Sequence, residues 1–573
     1  MRRGNCKLSI ENCKLKIEEE VACADQFAIC NLQFAICNSS RAGINPAARL
    51  PRVNRAARLP RGMVLIVVLV VISLLSLSAL TFSQLMLAER RAAEVSAAQA
   101  RARAAADSGV EMVRLFLVRD REEQNELGGW YDNQRQFGGR LVQYQGDGEY
   151  TDPKRFTIIA PNMDDGRYGG LRYGLEDEST RLNLNVLATL DEKFGADAGR
   201  GILMGLPGMN EEIADSILDW IDEDDEAREY GAEADYYTAN EPAYRPKNGP
   251  LETIEELLLV RGVTPDLLFG TDFNRNGQHD PGEPNAEDIE NVENIEGEMD
   301  RGWSAYLTLY SMELNVTPDG TQRIDLNQDD MEELYNQLEE AISTDAATFI
   351  VAYRQQSQPY TGSRRGESFT GGQLDFRRRG RLKLGSVIDL IGQSVSVRFR
   401  GQQESTVLEP MFPDVPGGMN LYLPILMDYC TINPEPVIPG RININQAPRI
   451  VLAGIPGMEE ELLDQIIAAR QTNPVDADTN RRHETWILSE GIVPLDKMKE
   501  LMPFVTGGGS VYRAQVIGYF DRGGPTVRIE TVLDATKMPP RLLFYRDLSH
   551  LGRGFAPETL GVGLDQPGSG NGG

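Results

Sequence analysis

A twelve-residue stretch from Asp272 to Glu283 has the ligand spacing of a calcium-binding loop. A loop of the EF-hand type needs oxygen donors at positions 1, 3, 5, 9 and 12, a backbone carbonyl at position 7 and glycine at position 6. The stretch supplies these residues in that order: Asp272, Asn274, Asn276, Gly277, Gln278, Asp280 and Glu283. We therefore predict one bound calcium ion, with the carbonyl of Gln278 among its ligands. The alternative is a polar turn rich in Asn, Gly and Asp.

A second acidic run extends from Asp219 to Tyr237. Its carboxylates are close enough in sequence to share a cation. The candidate ligands are Asp219, Asp222, Asp224, Asp225 and Glu233. A solvated helix end explains the same run equally well.

Motifs for catalysis are missing from the sequence. The chain has three histidines and contains no HExxH, GxSxG or phosphate-binding P-loop pattern. We therefore expect a protein that is not an enzyme.

The charge balance argues against nucleic acid as a partner. The first 62 residues hold 11 basic and 5 acidic side chains, so the remaining 47 basic and 81 acidic residues give a net charge of −34. Such a chain repels a phosphate backbone. Cys430 is the single cysteine after residue 62, so that part of the chain cannot form an internal disulfide.

The elements that carry these motifs follow an apolar stretch near the N-terminus. The 18 residues from Met63 to Leu80 have no charged side chain, which is close to the shortest length that spans a bilayer as a helix. The sequence Arg-Leu-Pro-Arg-Gly, residues 58–62, comes directly before it. Helical composition then continues to about Arg119, so a removable signal peptide fits less well than an anchor.

The boundary between residues 58–62 and the apolar stretch resembles the processing site of type IV pilin-like proteins. In that family a prepilin peptidase cuts after the glycine, here Gly62, and methylates the new N-terminal residue, here Met63. The family usually has Glu at the fifth mature position, where this chain has Val67. The K-type minor pseudopilins of type II secretion systems are the subclass that lacks this Glu, and their tryptophan–acid–GAE–tyrosine stretch is similar to residues 220–237.

The resemblance implies a structural protein of the bacterial inner membrane, with one span and a large periplasmic part. It would assemble at the tip of a pseudopilus, and help to initiate it, together with I-type and J-type minor pseudopilins and the major pseudopilin. Two alternatives remain open: a membrane-anchored DNA-uptake receptor with helix-hairpin-helix units, and a minor subunit of a type IV pilus.

Three stretches echo one another farther along the chain. Each has a tyrosine, a strand-like segment, an arginine and then a motif of the LNLN kind, at residues 173–185, 310–327 and 429–445. The first and third continue into Gly-apolar-Pro-Gly turns followed by amphipathic helices, at residues 205–221 and 454–470. We interpret these as duplicated units of helix-hairpin-helix or SAM-like type.

The hairpin units are predicted to serve packing and not DNA binding. In DNA-binding hairpins a second glycine lets backbone amides approach a phosphate. Here Asn210 and Glu459 occupy that position, and two glutamates follow each of them. Carboxylates at a helix N-terminus stabilise the helix but exclude phosphate.

The predicted fold class is α+β, with a pilin-like transmembrane helix, a small β-containing domain and a large, mostly helical insertion. The segment 363–402 is locally basic and fits either an acidic partner or a solvated loop. The tandem repeats before Gly62 look like translated repetitive DNA, and we expect the true start near Val53. The predicted parts are a leader (1–62), a membrane span (63–83), helix and first strands (84–180), a hairpin domain with the calcium loop (181–300), a second helical unit (301–440), a third (441–505), closing strands (506–555) and a disordered tail (556–573).

Overall fold

The computed structural model of the chain describes residues 61–142, 153–195, 197–284, 301–360, 362, 372–475 and 479–561. The repetitive prefix before residue 61 and the residues after 561 lie outside this range. The chain divides into two compact units, Met1–Glu89 and Arg90–Gly573. The predicted mixture of helices and strands behind one long apolar N-terminal helix is confirmed.

The helices vary from one very long element to single turns. In chain order they are α1 (Arg61–Leu117), α2 (Arg121–Glu126), α3 (Gln134–Phe137), α4 (Leu187–Phe194), α5 (Ala198–Leu203), α6 (Glu211–Ile221), α7 (Ala234–Thr238), α8 (Pro265–Phe269), α9 (Met331–Ala341), α10 (Thr344–Gln355), α11 (Pro416–Met419), α12 (Leu423–Tyr429), α13 (Arg449–Ala453), α14 (Glu460–Ala469), α15 (Trp486–Ser489), α16 (Leu495–Leu501) and α17 (Pro557–Leu560).

Most strands are short. They are β1 (Arg140–Val142), β2 (Lys154–Asp164), β3 (Arg167–Tyr173), β4 (Glu176–Asp177), β5 (Leu182–Asn183), β6 (Leu307–Thr308), β7 (Met312–Leu314), β8 (Ile324–Asp325), β9 (Val395–Val397), β10 (Thr406–Leu408), β11 (Cys430–Thr431), β12 (Val437–Pro439), β13 (Ile442–Asn443), β14 (Val505–Thr506), β15 (Val511–Phe520), β16 (Val527–Asp534) and β17 (Arg541–Asp547).

The first unit contains the apolar part of α1. The side chains described from Val64 to Glu89 are all exposed, and most of them are aliphatic. The segment from Val64 to Leu117 is long and apolar enough to cross a membrane, with a mean hydropathy of 2.9 over its most apolar window.

The second unit is built around an antiparallel sheet that takes strands from both ends of the chain. Its strand order is β1-β2-β15-β16-β17, with β3 beside β2 and β4 beside β15. The C-terminal part of α1 packs on one face, where Ala102, Ala106 and Val113 join a core with Ile158 and Val516 of the central strands. Everything from residue 178 to residue 510 is therefore an insertion between two neighbouring parts of one sheet.

Three short parallel strand pairs divide this insertion into three repeat units. β5 pairs with β6, β8 with β11, and β13 with β14, which closes repeat unit one (182–308), repeat unit two (324–431) and repeat unit three (442–506). These units begin at the three sequence echoes. Their shared core is a large cluster of buried apolar side chains, separate from the core under α1.

The same turn, held by an Asn or Asp side chain, opens each unit. The side chains of Asn183, Asp325 and Asn443 each accept a hydrogen bond from the amide two residues later. In unit one, Asn185 then bonds both the N–H and the carbonyl of Leu251. In unit two, Asn327 bonds Leu384 in the same way. In both cases a half-buried amide side chain holds a 3-10 helix, Ile254–Leu259 or Val387–Leu390, over the start of its unit.

The two Gly-apolar-Pro-Gly turns contact each other. A Cβ built at Gly205 would lie 2.8 Å from the Cα of Gly454, so the backbones of the two turns meet without intervening side chains. The indole N–H of Trp303 donates to the carbonyl of Pro207 in the first turn at 2.8 Å. The turns therefore join unit one to unit three.

The segment from Glu176 to Arg181, which we call the hub, joins the insertion to the sheet. Glu178 is fully buried and pairs with Arg513 of β15 at 2.5 Å, and it also accepts a hydrogen bond from Thr308 of β6. Asp177 accepts hydrogen bonds from the amide of Gly509 at 2.7 Å and from the side chain of Asn443 at 3.0 Å. The hub thus contacts β15 and two repeat units at once.

A salt bridge closes the hub. Arg181 pairs with Glu176 at 2.6 Å, and both side chains are buried. Burial alone would raise the pKa of Glu176, but the neighbouring Arg181 guanidinium brings that pKa below its usual value. Glu176 is therefore ionised and paired.

The predicted disordered tail does not begin at residue 556. Residues 557–560 form α17, and Leu560 is buried against Ile159 and Ile517 on the sheet face opposite α1. The carbonyl of Leu560 accepts a hydrogen bond from Thr157 at 2.6 Å. Composition indicated disorder because residues 563–573 are mostly glycine and polar, and that part lies outside the described residues.

The closest approach of α1 to the sheet predicts a sensitive glycine. A Cβ at Gly518 would overlap the carbonyl oxygen of Ala102 and the amide nitrogen of Ala106, which are backbone atoms and cannot rotate away. Gly518→Val should therefore lower the free energy of unfolding by about 3 kcal/mol. Thermal unfolding of the full chain in detergent measures the effect. Gly201→Val, where a Cβ meets open space, is the control, and equal losses in both variants would contradict the packing account.

Candidate metal centres

The predicted calcium loop folds around Asp272. One carboxylate oxygen of Asp272 accepts a hydrogen bond from the amide of Asn276 at 3.0 Å, and the other accepts one from the amide of Gly277 at 2.7 Å. Gly277 has a φ of 72°, in the left-handed region that glycine adopts without strain. The sixth position of the loop therefore needs glycine, as the sequence pattern requires.

Four of the predicted ligands meet at Asp280. The side-chain amides of Asn274 and Asn276 both donate to one carboxylate oxygen of Asp280, at 2.6 and 2.7 Å. Glu283 accepts a hydrogen bond from the amide of Asp280 at 2.9 Å. The amide of Gln278 donates to the side-chain oxygen of Asn276 at 2.7 Å. The polar side chains of the loop therefore lie together on its inner side.

The donor set fits a hard cation. The buried side-chain oxygen of Asn274 has no hydrogen-bond partner, while its amide nitrogen faces Asp280. The oxygen and nitrogen of a side-chain amide exchange places by a half-turn rotation. Rotating Asn274 would aim one more oxygen toward Asp280, the kind of ligand that calcium prefers.

The outer side of the loop is bound to the sheet. The guanidinium of Arg528 on β16 donates to the carbonyls of Asn274 and Arg275, each at 3.0 Å. Gln515 on β15 donates to the Arg275 carbonyl at 2.9 Å. Burial lowers the pKa of Arg528 to about 10, against the opposing effect of Asp272. A cation in the loop would therefore stabilise the junction between unit one and the sheet.

Three residues of the second acidic run come together, and we call them the acidic group. In the part of the chain that the structure describes, Asp222, Asp224 and Glu233 are the one group of three acidic side chains with oxygens within 4.8 Å of one another. Glu233 is 7% exposed, and neither of its carboxylate oxygens has a hydrogen-bond partner. One oxygen of Asp222 is also buried without a partner. Unpartnered buried carboxylates are costly, and a bound cation would offset that cost.

The crowding of these carboxylates raises their pKa values. Burial, followed by repulsion from Asp219 and Asp222, raises the pKa of Glu233 to about 7. Burial and the charge of Asp224 raise the pKa of Asp222 to about 6. A divalent cation would reverse both effects, because it favours the ionised forms.

The two other predicted ligands have different partners. Asp219 is fully buried and accepts hydrogen bonds from the Arg228 amide at 3.3 Å. Asp225 accepts one from the side chain of Asn248 at 2.9 Å. Sequence reasoning missed Asn248, whose buried side-chain oxygen has no partner beside this group. The Asn-Gly-Pro turn was the sequence signal that could have indicated Asn248. Asparagine is favoured where a turn needs a positive φ, and Asn248 has a φ of 46°.

In a DNA-binding hairpin the helix N-terminus would contact a phosphate. In this chain the corresponding helix N-termini carry carboxylates, and one of them is capped by an asparagine. Asn210 caps α6 by accepting a hydrogen bond from the amide of Ile213 at 2.9 Å. Glu211 and Glu212 lie in the first turn of α6, and Glu460 and Glu461 in the first turn of α14. Both helix N-termini are thus already stabilised by side chains of this chain.

The predicted processing position lies where α1 starts. The helix begins at Arg61, so Gly62 and Met63 are its second and third residues, directly before the exposed apolar run. Cleavage at this position stays a prediction.

Residues 180–269, which include the acidic group, match the family model described as type II secretion system (T2SS), protein K. This segment is similar to that family. The resemblance of the chain to the K-type minor pseudopilins is therefore confirmed. The matched segment begins at the hub and ends three residues before the predicted calcium loop.

Curated relatives agree with this result. Type II secretion system protein K of Pseudomonas aeruginosa is 38% identical over 106 residues, which are 17% of this chain and 31% of the relative. A relative from Escherichia coli strain K12, also named for protein K, is 30% identical over 106 residues, 17% of this chain and 32% of the relative. The chain thus matches about a third of the length of these proteins.

A solved structure also has one chain that matches this protein. It is the crystal structure of the GspK-GspI-GspJ complex from the type 2 secretion system of enterotoxigenic Escherichia coli. The match covers 80% of this chain and 98% of the other, with 12% identity and a TM-score of 0.30. At this TM-score the likeness carries no argument about the fold.

Calcium should stabilise the protein through the loop. An ion that binds only the folded form adds about 2.7 kcal/mol at a hundredfold excess over its dissociation constant. Chelation should therefore lower the melting temperature of the full chain in detergent, and Asp272→Ala with Glu283→Ala should remove most of that difference. The control pair is Glu404→Ala with Glu409→Ala, at exposed positions. An unchanged response in the loop variant would place the ion in the acidic group instead.

The acidic group predicts an unusual pH dependence without calcium. The folded pKa of Glu233 is raised, so its contribution to stability is complete below its unfolded pKa and is lost as pH rises through about 7. In the presence of a chelator that removes calcium, Glu233→Gln should therefore stabilise the protein at about pH 8, by on the order of 2 kcal/mol. The same substitution should have no effect near pH 4. Melting temperatures across this range, with exposed Glu229→Gln as control, test the idea. A variant that melts lower than wild type at the higher pH refutes it.

Proposed function

We propose that this chain is a K-type minor pseudopilin, a structural subunit at the tip of the pseudopilus in a type II secretion system. The observation that carries the proposal is the protein K match at residues 180–269, in a chain whose apolar helix follows Gly62 and lacks Glu at position 67. The role is mechanical, and we expect no enzymatic activity.

The apolar part of α1 supports a single-pass anchor in the inner membrane. Arg49, Arg52, Arg55, Arg58 and Arg61 all precede the span. Basic residues beside a span stay on the cytoplasmic side. This orientation puts the sheet and the three repeat units in the periplasm, where calcium at extracellular concentrations would fill a loop with few charged ligands.

The absence of Glu at position 67 supports a place at the tip. In pilin-like filaments that Glu is thought to pair with the N-terminal amine of the subunit ahead. A subunit with nothing ahead of it has no such partner, and an unpaired carboxylate in lipid is costly. We therefore propose that the chain helps to initiate assembly, with I-type and J-type minor pseudopilins and the major pseudopilin as partners.

The packing of α1 suits a subunit that transmits force. Between Ala102 and Leu117, one face of α1 is buried against β2, β15 and β16, with Gly109 and Gly518 at the closest approach. A force along the helix would therefore reach the central strands directly, and from them the hub and the insertion.

Processing by a prepilin peptidase gives the first test. We expect cleavage between Gly62 and Met63, with methylation of Met63, when the chain is produced together with its peptidase. Mass spectrometry of the mature N-terminus measures this. Gly62→Leu should block processing, whereas Arg58→Gln should not. A mature chain that starts elsewhere, or an uncleaved one, would contradict the proposal.

A secretion assay in the bacterium that encodes this protein gives a second test of the proposed function. Deleting the gene should abolish secretion of type II substrates, and the wild-type gene should restore it while Gly62→Leu should not. Normal secretion after deletion would favour the type IV pilus alternative.

The hairpin units should not bind DNA. The acidic first turns of both hairpin helices and the net charge of −34 after residue 62 both oppose a phosphate backbone. Anisotropy titration of the full chain in detergent with labelled duplex at low salt should show no saturable binding. Micromolar, saturable binding would instead support the DNA-uptake receptor.

A further inference from the structure

Repeat unit two carries a group of seven exposed cations, which we call the basic surface. Its members are Arg377, Arg378, Arg379, Arg381, Lys383, Arg398 and Arg400. None of the seven forms an ion pair with a residue in the part of the chain that the structure describes. This is unexpected, because acidic residues outnumber basic ones by 81 to 47 after residue 62. Neighbouring like charges repel, so the group costs stability unless something binds it.

Buried contacts hold the backbone of the basic surface in place. Arg354 of α10 is 1% exposed, and its guanidinium donates to the carbonyls of Asn327 and Gln328 at 3.0 and 3.1 Å, and to that of Leu382. The carbonyl of Arg354 in turn accepts from the amides of Arg381 and Leu382 at 2.7 and 3.1 Å. The segment is therefore fixed through its backbone, and its cationic side chains remain exposed.

The neighbouring segments are fixed in the same way. Gln355 donates to the carbonyls of Asp375 and Arg378 at 3.1 and 3.2 Å. The amide of Arg400 donates to the carbonyl of Gln373 at 2.7 Å, which brings the second part of the group beside the first. Phe399 is buried between the exposed Arg398 and Arg400. A solvated loop would not need this support.

We propose that the basic surface docks an acidic segment of a partner protein. Residues 377–383 span at most about 25 Å when extended, which matches a segment of six to eight residues. Six of the seven cations are arginines, whose planar guanidinium groups bind carboxylates through two parallel hydrogen bonds. The fixed backbone lowers the entropy cost of binding, because the cations are already gathered.

Charge and polarity favour a short protein segment over an extended anionic surface. A membrane or a nucleic acid duplex is larger than the basic surface and would also face the acidic remainder of the chain, which repels anions. Membrane-binding surfaces also expose large apolar groups. Here Phe376 and Leu382, the large apolar side chains among the cations, are partly buried and pack on the insertion core.

Binding of a labelled octaglutamate peptide to the full chain in non-ionic detergent tests the proposal. We expect saturable binding at low salt that weakens as salt rises, and no binding of octaglutamine. Neutralising four cations, Arg377→Gln, Arg378→Gln, Arg379→Gln and Arg381→Gln, should weaken binding about tenfold, because each exposed ion pair contributes a modest amount. Arg398→Gln with Arg400→Gln should weaken it independently.

A matched control keeps the change in net charge constant. It neutralises four exposed cations elsewhere, namely Arg119→Gln, Arg245→Gln, Lys537→Gln and Arg541→Gln, and should bind octaglutamate within about twofold of wild type. Equal binding by the 377–381 variant and wild type would overturn the proposal. So would tighter binding of anionic phosphatidylglycerol vesicles or duplex DNA at the same residues, because those partners belong to other classes. Processing at Gly62 is unaffected by any of these outcomes.

Discussion

The buried pairing of Glu178 with Arg513 is the interaction on which the rest of the structure depends. It joins residues 335 positions apart, one at the first residue of the insertion and one just after its end. Both side chains are buried, so losing Arg513 would leave the Glu178 carboxylate in the interior without its ion-pair partner. Glu530 on β16 accepts a second hydrogen bond from Arg513 at 2.7 Å. The pair therefore fixes where a long insertion leaves the sheet and where it returns.

Around this pair the chain combines a layer of sheet and helix with three repeat units. The sheet and α1 form one core, and the repeat units form another. The predicted calcium loop lies at the junction, because its backbone is held by Arg528 and Gln515 of the sheet. The loop, the insertion and the packing of α1 are thus linked through a few buried contacts near β15.

Much of this could be predicted where the signal is local in sequence. The loop around Asp272 was predicted because all its oxygen donors fall within twelve residues, and calcium binding there stays a prediction. The three Asn or Asp turns were visible as three echoes. The hub was not, because the partners of Glu178 and Asp177 lie on distant strands and nothing local marks Arg513 or Gly509. The same holds for Asn248 beside the acidic group and for Arg354 beneath the basic surface. Burial and long-range contacts decide these roles, and periodicity does not report them.

Hydrogen–deuterium exchange of the full chain in detergent tests the role of the hub most directly. In Glu178→Gln the carboxylate is lost while the shape of the side chain is kept, so Arg513 loses one of its two ion-pair partners and keeps Glu530. We predict faster exchange on both sides of the junction, in β15 and in residues 303–308, and little change in repeat unit two. Unchanged exchange, or a change confined to residues 176–181, would contradict the claim that this pair holds the insertion to the sheet.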